Sequence, residues 1–180
     1  GGVQNSFHFL KNFTLIANVD YQFGGKFFSL SDMWGTFSGL TARTSGLNDR
    51  GIPQRDPVAD GGGVHVFGVD VTDNTKQVDY YVDAQDYYHN LYNNKIFDAF
   101  IYDLSYVKLR EVSVGYNVPV DKLGWTKYVQ ALNVSLVAQN PWLIYSATKD
   151  FDPSEISNAG GETGQFPGIR SWGANLRVTF

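Results

Sequence analysis

The side chains of this sequence best suited to acid–base or metal chemistry are its three histidines, His8, His65 and His89. They lie far apart, and none has a carboxylate at the spacing of a zinc site or a catalytic triad. Cysteine is absent, which excludes disulfides and thiolate ligands within this sequence. The histidines therefore indicate neither a zinc site nor a catalytic triad.

An acidic stretch offers a second kind of site. Residues 46–99 contain nine Asp against two Arg and two Lys, a net charge of −5, whereas the whole chain carries −4. Four of these carboxylates could together hold a calcium ion: Asp56, Asp60, Asp70 and Asp73. No segment has the DxDxDG spacing of a calcium loop, and a solvated acidic loop is the simpler interpretation. We therefore expect no cofactor, with calcium in this loop as the alternative.

Aromatic side chains are abundant, with 11 Tyr, 13 Phe and 4 Trp in 180 residues. Their flat faces and polar tips suit them to stacking on sugar rings or peptide side chains. Packing of a loop against a barrel rim or a lid protein explains them equally well. The residues predicted to contact a ligand or a lid lie in two presumed loop regions: Tyr80, Tyr81, Tyr87, Tyr88, Tyr92, Trp142 and Tyr145.

Five of these aromatic residues lie in or near a predicted helix. In the stretch VDAQDYYHNLYNN, Asp83 is suited to cap a helix N-terminus. Tyr87, Tyr88, Leu91 and Tyr92 then share one helical face. The pattern predicts a short helix packed on the surrounding loop.

Most of the remaining pattern has period two, which predicts an all-β fold of antiparallel strands. The predicted strands lie near residues 3–10, 13–24, 101–119, 129–144 and 168–180. A change of phase near Arg110 and Glu111 predicts a β-bulge.

The apolar faces of these predicted strands carry no charged residue. Lipid contact would impose this, because Arg or Lys at the middle of a bilayer costs about 2–4 kcal/mol. The opposite faces carry Asn, Ser, Thr, Gly and Gln rather than the Lys and Glu of a solvated sheet. The alternative is a soluble sandwich or barrel whose apolar faces meet in a core.

Short connections between predicted strands alternate with long ones, which span residues 25–100 and 146–166. Short turns on one rim and long loops on the other are typical of outer-membrane barrels. No apolar run reaches the roughly 20 residues of a membrane-spanning helix, but a barrel strand needs only about 10. The net charge of −4 without a basic block argues against a nucleic-acid partner.

Four stretches carry a family resemblance. They are GGVQNSFHFLKNFTLIANVDYQFGGK, SYVKLREVSVGYNVP, AQNPWLIYSATKDFDPSE and FPGIRSWGANLRVTF. The second is similar to a family segment of the form SYLRLKNVSLGYTLP and the third to GQNLFTWTKYKGFDPE, with Pro141 and Trp142 in place of Leu-Phe. In this order and spacing they resemble the C-terminal end of SusC/RagA-type TonB-dependent transporters of the Bacteroidetes outer membrane.

The resemblance implies that residues 1–180 are the C-terminal antiparallel strands of a 22-stranded transmembrane β-barrel with long extracellular loops. It also implies that the plug and the other strands lie outside this sequence, so we expect a cut or incomplete chain. The implied function is not enzymatic: it is TonB-dependent import of a large nutrient, an oligosaccharide or oligopeptide, across the Gram-negative outer membrane. The implied partners are a SusD-like surface lipoprotein, TonB through the plug, the rest of the barrel and membrane lipid.

The end of the chain has a role in the same resemblance. An apolar stripe closes on a terminal aromatic residue and consists of Trp172, Ala174, Leu176, Val178 and Phe180. In outer-membrane proteins the barrel-assembly machinery reads such a stripe, and the simpler alternative is that Phe180 fills the lipid belt. Two other functions are weighed for the chain as a whole: a passive outer-membrane porin and a soluble β-rich glycan-binding module.

Overall fold

The computed structural model describes residues 1–156, 161–166 and 168–180. Its strands, in chain order, are β1 (Gly2–Phe9), β2 (Phe13–Gln22), β3 (Lys26–Phe28), β4 (Val64–Val69), β5 (Gln77–Val82), β6 (Ile101–Asp103), β7 (Tyr106–Val118), β8 (Ala131–Ser146) and β9 (Ser171–Thr179). Its α-helices are α1 (Leu30–Phe37) and α2 (Ala84–Asn93). The fold is mainly β, as the sequence predicts, and the chain divides into two compact units.

The first unit is a single five-stranded sheet with the strand order β1-β2-β7-β8-β9. All four pairs of neighbouring strands are antiparallel, which confirms that prediction. A three-residue turn joins β1 to β2, with Leu10 and Lys11 at φ 49° and 65° and Asn12 N–H donating to the Leu10 carbonyl. Residues other than Gly rarely adopt this region, so the turn is held by the pairing on either side of it.

The predicted bulge is present in β7. Leu109 and Glu111 pair with consecutive residues of β2, which leaves Arg110 without a partner in the ladder. On the other side of β7, Asn140 and Pro141 are the extra residues of β8, and Asn140 has φ 49°. Because a bulge changes the face on which later side chains lie, it explains the change of phase in the sequence.

The strand ends differ from the predicted ones at three places. β8 continues to Ser146, so Trp142 and Tyr145 lie in a strand and the interpretation of them as loop residues is wrong. The two bulges let β8 stay paired with β7 in this region, since they absorb the mismatch in register. The predicted strand near 101–119 is β6 followed by β7, and the Asp103 side chain accepts from Ser105 N–H at the break. Phe180 lies just beyond β9.

The second unit includes Phe27–Ile101 and residues 161–164. The sequence predicted a long loop here with one short helix. The helix is confirmed as α2, because Asp83 accepts hydrogen bonds from the N–H groups of Gln85 and Asp86. The remainder is also folded: it contains α1, the antiparallel hairpin β4–β5 and an apolar core that includes Phe27, Met33, Ala84 and Phe100.

A distant residue completes the N-terminus of α1. Glu162 is 5% exposed and accepts hydrogen bonds from Ser29 Oγ at 2.6 Å, Ser31 Oγ at 2.8 Å, Ser31 N–H at 3.1 Å and Gly164 N–H at 2.6 Å. Burial alone would raise the pKa of Glu162, but these hydrogen bonds outweigh it and lower the pKa. Glu162 lies in the predicted loop 146–166, of which residues 157–160 fall outside the described residues.

A close backbone approach organises the turns before β4. A Cβ atom added at Gly62 would lie 2.1 Å from the carbonyl oxygen of Asp56, and Gly62 N–H donates to the Pro57 carbonyl at 3.1 Å. Only a residue without a side chain fits here.

We predict that Gly62→Ala loosens residues 46–63 and costs about 1–3 kcal/mol of local stability, because the added methyl group would displace backbone. Amide hydrogen exchange of peptides from this segment measures the effect. The control is Gly68→Ala in β4, where an added Cβ meets nothing within 4 Å and exchange should stay unchanged. Equal protection in the two variants would contradict the close approach.

Candidate functional site

One face of the five-stranded sheet is apolar. Residues that pair across neighbouring strands share a face, so the register defines rows of side chains. Three rows on this face are Leu15–Val114–Leu136–Ala174, Phe13–Tyr116–Val134–Leu176 and Ala17–Val112–Ala138–Trp172. Strand β1 extends them with Phe7 opposite Leu15 and Phe9 opposite Phe13, and Asn5 is its polar exception.

The apolar face is widely exposed. Leu136 and Leu176 are each 64% exposed and Trp172 is 77% exposed. The three apolar rows lie side by side on one sheet, so within the first unit they do not pack against each other as the layers of a sandwich do. Water disfavours an apolar surface of this extent, so it marks a surface that meets another apolar phase.

The opposite face of the same sheet is mostly polar. Two of its rows are Thr14–Gly115–Ser135–Asn175 and Asn18–Glu111–Gln139–Ser171. A third row adds the apolar side chains of Ile16 and Val137 opposite Ser113. The two faces thus differ in charge as well as in polarity, which divides the sheet into an uncharged side and a hydrophilic side.

A buried lysine lies on the polar face. Lys108 is 2% exposed, and its ammonium group donates to Asp152 at 2.7 Å, to Glu155 at 2.7 Å and to Ser154 Oγ at 2.9 Å. All three acceptors belong to the 3₁₀ turn at Pro153–Glu155 and the residue before it. The turn therefore lies against the polar face, and its carboxylates neutralise a charge that burial would otherwise make costly.

The bulged arginine extends this ion cluster. Arg110 donates to Glu155 at 2.8 Å, to Asp20 at 3.2 Å and to the Ser154 carbonyl at 3.0 Å. Tyr106 OH also donates to Asp20. Lys108 and Arg110 thus contact the same turn. The bulge lets Glu111, which directly follows Arg110, also lie on the polar face, opposite Asn18 and Gln139.

Both carboxylates of the turn have lowered pKa values. The hydrogen bond from Lys108 lowers the pKa of Glu155 despite partial burial. Burial would raise the pKa of Asp152, but the hydrogen bonds from Lys108 and Ser154 outweigh it. Groups of this kind add stability above their ordinary pKa of about 4 and lose it as the pH falls through the lower folded value.

We predict that the turn stays docked between pH 5 and 8 and is released below about pH 4. Lys108→Met should weaken docking by about 3 kcal/mol, the low end for removing one partner of a buried pair, because Arg110 still pairs with Glu155. Release should then begin at a higher pH. An environment-sensitive dye attached through Asp150→Cys reports the transition, and Lys149→Met is the control, since Lys149 is an exposed cation of the same segment.

The predicted ligand-contacting tyrosines of the second unit mostly pack inward. Tyr88 OH donates to the Arg43 carbonyl at 2.6 Å and to Gln54 Oε1 at 2.7 Å, and burial raises the pKa of Tyr88. The Tyr92 ring lies tilted against Trp34, with ring centres 5.0 Å apart. These contacts fit the alternative in which the tyrosines hold the unit together. Tyr87 lies edge-on to Tyr88, whereas Tyr80 is 52% exposed.

Tyr81 belongs to a cluster that the sequence analysis missed. His65 lies between two carboxylates, with Nδ1 2.7 Å from Asp49 and Nε2 2.8 Å from Asp79. The Tyr81 ring stacks on His65 at 4.7 Å and its OH donates to Asp49, while Arg50 lies 3.5 Å over the same ring. The hydrogen bond with Asp79 raises the pKa of His65. Residue spacing along the chain gave no sign that Asp49 and Asp79 lie beside His65.

The proposed calcium ligands can be compared with the residues that the structure describes, which are 1–156, 161–166 and 168–180. These ranges contain no group of three or more His, Asp or Glu side chains placed to hold a metal ion. At His65 the two carboxylates lie on opposite ring nitrogens, so they cannot converge on one ion. Asp70 and Asp73, two of the proposed calcium ligands, accept hydrogen bonds from Thr72 and Thr75.

Among the described residues, no helix has the length and the apolar character that crossing a membrane requires.

The second unit also contains an open cleft of about 500 Å³. It lies between the C-terminal end of α1 and the N-terminal half of α2, with Arg55 and Thr44 from the intervening turns. Its lining consists of Thr36, Phe37, Ser38, Gly39, Thr44, Arg55, Asp83, Ala84, Gln85, Tyr88 and His89. The cleft thus combines aromatic walls with charged and hydrogen-bonding groups, which is the usual composition of a binding site.

The other predicted site residues lie on the sheet. Trp142 and Tyr145 are 59% and 48% exposed, opposite Leu109 and Val107 of β7. From the terminal stripe, Trp172, Ala174, Leu176 and Val178 pair with successive even-numbered residues of β8 and so share one face. These are surface positions on the sheet, so no closed pocket is formed by them.

Comparison with known proteins shows a similar fold in solved transporters. No protein-family model and no curated protein matches the chain. The structures of the RagAB peptide transporter, of the RagAB peptide importer in the 'closed-closed' state and of the same importer in the 'open-open' state match with TM-scores of 0.55, 0.54 and 0.53. Each matched chain is 18% identical, and the match covers 94% of this chain but 16% of that chain. At this identity the likeness is one of fold.

Proposed function

We propose that this chain is a section of the wall of an outer-membrane transporter that imports a large nutrient, an oligosaccharide or an oligopeptide. The observation that carries the proposal is the division of one sheet into an uncharged, exposed apolar face and a hydrophilic face. Lipid tails cover the apolar face, and the polar face looks into the lumen. The bilayer thus supplies the apolar phase that the exposed leucines and tryptophan require.

The backbone supports the same assignment. In hydrocarbon every backbone N–H and C=O needs a partner, and the sheet of the first unit has outer edges at β1 and β9. Further strands of the same barrel satisfy these edges in the whole protein. The terminal stripe from Trp172 to Phe180 then serves as the signal that barrel-assembly machinery reads before the sheet closes.

The choice of a large nutrient rests on the similar fold of solved transporters and on the resemblance of the sequence to a transporter family. The solved structures of similar fold are described as a peptide transporter and a peptide importer. The sequence resembles SusC/RagA-type transporters, from which we take a SusD-like surface lipoprotein and TonB, acting through a plug, as partners. The second unit, with its acidic charge and its cleft, is assigned to the extracellular side, where it contacts the nutrient or the lipoprotein.

A charge placed on the apolar face tests the wall assignment. We predict that Leu176→Arg reduces the amount of protein assembled in the outer membrane several-fold, because Arg on the lipid face costs about 2–4 kcal/mol near the bilayer centre. The matched control is Asn175→Arg, which places the same charge on the adjacent, exposed residue of the polar face. Quantitative blotting of outer-membrane fractions measures both.

The two variants also separate the wall from a soluble glycan-binding module. A soluble module would tolerate Leu176→Arg at least as well as Asn175→Arg, because both positions would face water. Equal assembly of the two variants, or purification of the protein without detergent, would reject the wall.

Energy coupling separates an importer from a passive porin. We predict that a protonophore stops accumulation of a labelled oligopeptide or oligosaccharide by cells that depend on this protein, since TonB acts through the proton gradient. Uptake of a small freely diffusing solute by the same cells is the control. Continued uptake of the oligomer after the gradient has collapsed would assign the protein to the porins.

A further inference from the structure

We propose that the cleft between α1 and α2 binds a carboxylate group of the ligand through Arg55. This inference rests on the proposed import function, because it names a chemical group on the imported nutrient. The lining residues all belong to the second unit.

Arg55 is held in place by neutral acceptors. Its Nε donates to the Thr44 carbonyl at 2.7 Å, and its Nη2 donates to Thr44 Oγ1 at 2.7 Å and to the Gly39 carbonyl at 2.5 Å. Thr44 itself is buried and bonded to the Thr41 carbonyl. The guanidinium group is therefore fixed before a ligand arrives, which reduces the entropy lost on binding.

The positive charge of Arg55 is not paired within the described part of the chain. Arg43 pairs there with Asp32, and Arg110 pairs with Asp20 and Glu155. No such ion pair is found for Arg55 among residues 1–156, 161–166 and 168–180, and its Nη1 makes no hydrogen bond to them. A fixed arginine with an unused donor is suited to a charge-assisted hydrogen bond with an anion.

The single acidic residue of the lining does not neutralise this charge. Asp83 accepts from the N–H groups of Gln85 and Asp86, so its carboxylate faces the first turn of α2. There the helix dipole and the unpaired N–H groups stabilise it. The positive charge in the cleft thus remains available to a ligand.

The walls of the cleft favour an organic ligand over a bare ion. Phe37 and His89 stack with ring centres 4.1 Å apart, and the His89 ring bonds to the Phe37 carbonyl. Tyr88 completes this aromatic side, and its OH is already used by Arg43 and Gln54. An aliphatic or aromatic group next to the carboxylate can lie against these rings.

The charge around the cleft further limits the kinds of ligand that it can bind. Residues 46–99 carry a net charge of −5, which repels strongly anionic molecules. The preferred ligand therefore has one carboxylate at the end of an otherwise neutral or cationic oligomer. Two sources supply that group: the C-terminus of an oligopeptide and a uronic acid in an oligosaccharide.

Calorimetric titration of the purified full-length protein in detergent tests the site. The probes are an acetylated pentapeptide with a free C-terminal carboxylate, the same peptide as its C-terminal amide, and a neutral xylotriose that carries a single glucuronic acid. We predict that the protein binds the free carboxylate at least about tenfold more tightly than the amide, as one charge-assisted hydrogen bond provides. Arg55-dependent binding of the xylotriose with its single glucuronic acid, without a preference between the two peptides, would assign the carboxylate to an acidic glycan.

Two variants and one control locate the effect. Arg55→Gln should abolish the preference for the carboxylate. Gln85→Glu adds a carboxylate to the cleft at an exposed residue of the first turn of α2 and leaves the Arg55 hydrogen bonds intact. This variant should also abolish the preference for the carboxylate. Arg50→Gln removes a nearby cation that lies over Tyr81 outside the cleft, and should preserve it.

The inference would be overturned by a preference that survives both Arg55→Gln and Gln85→Glu. It would also be overturned if the natural protein showed neither a preference for the peptide carboxylate nor Arg55-dependent binding of the acidic glycan. Uptake of the same probes by cells distinguishes a failure of this inference from a failure of the proposed import function. Failure of the binding test together with import of any of the probes would reject the cleft and leave the importer standing. No import of any probe, peptide or glycan, would reject the importer itself.

Discussion

The exclusion of charge from one face of the five-stranded sheet is the constraint on which the rest of the structure depends. Side chains alternate between faces along each strand, and the register aligns apolar positions such as Leu15, Val114 and Leu136 into rows. A slip of one residue in any pair would carry polar side chains to the apolar face. The alternation of apolar and polar side chains therefore fixes the register of each strand pair, in addition to the backbone hydrogen bonds.

The polar face can hold buried charge because it also holds the groups that neutralise it. Lys108 and Arg110 project toward the turn at Pro153–Glu155, which returns two carboxylates to them. Without the bulge, Arg110 and Glu111 would lie on opposite faces of the sheet, because side chains alternate along a strand. One of the two charges would then reach the apolar face. The irregularity of β7 therefore protects the uniformity of the apolar face while it anchors the chain after β8.

Local patterns predicted much of this fold. Period-two alternation located the strands of the sheet, a phase change located the bulge at Arg110, and Asp83 marked the start of α2. The contacts that sequence reasoning missed join residues far apart in the chain, such as Asp49 with His65 and Glu162 with Ser29. Spacing in one sequence carries no signal for such pairs. The cleft around Arg55 was missed for the same reason, because two helices and their intervening turns build it.

Glu162 gives the second unit a particular place in the order of folding. Its side chain closes the first turn of α1 across 133 residues of sequence, with β8 made in between. Because a chain is synthesised from its N-terminus onward, the first turn of α1 gains this carboxylate only after β8 has been made. The second unit is consequently completed late, close in time to β9, so that a chain truncated before Glu162 lacks both the last strand of the sheet and a finished α1.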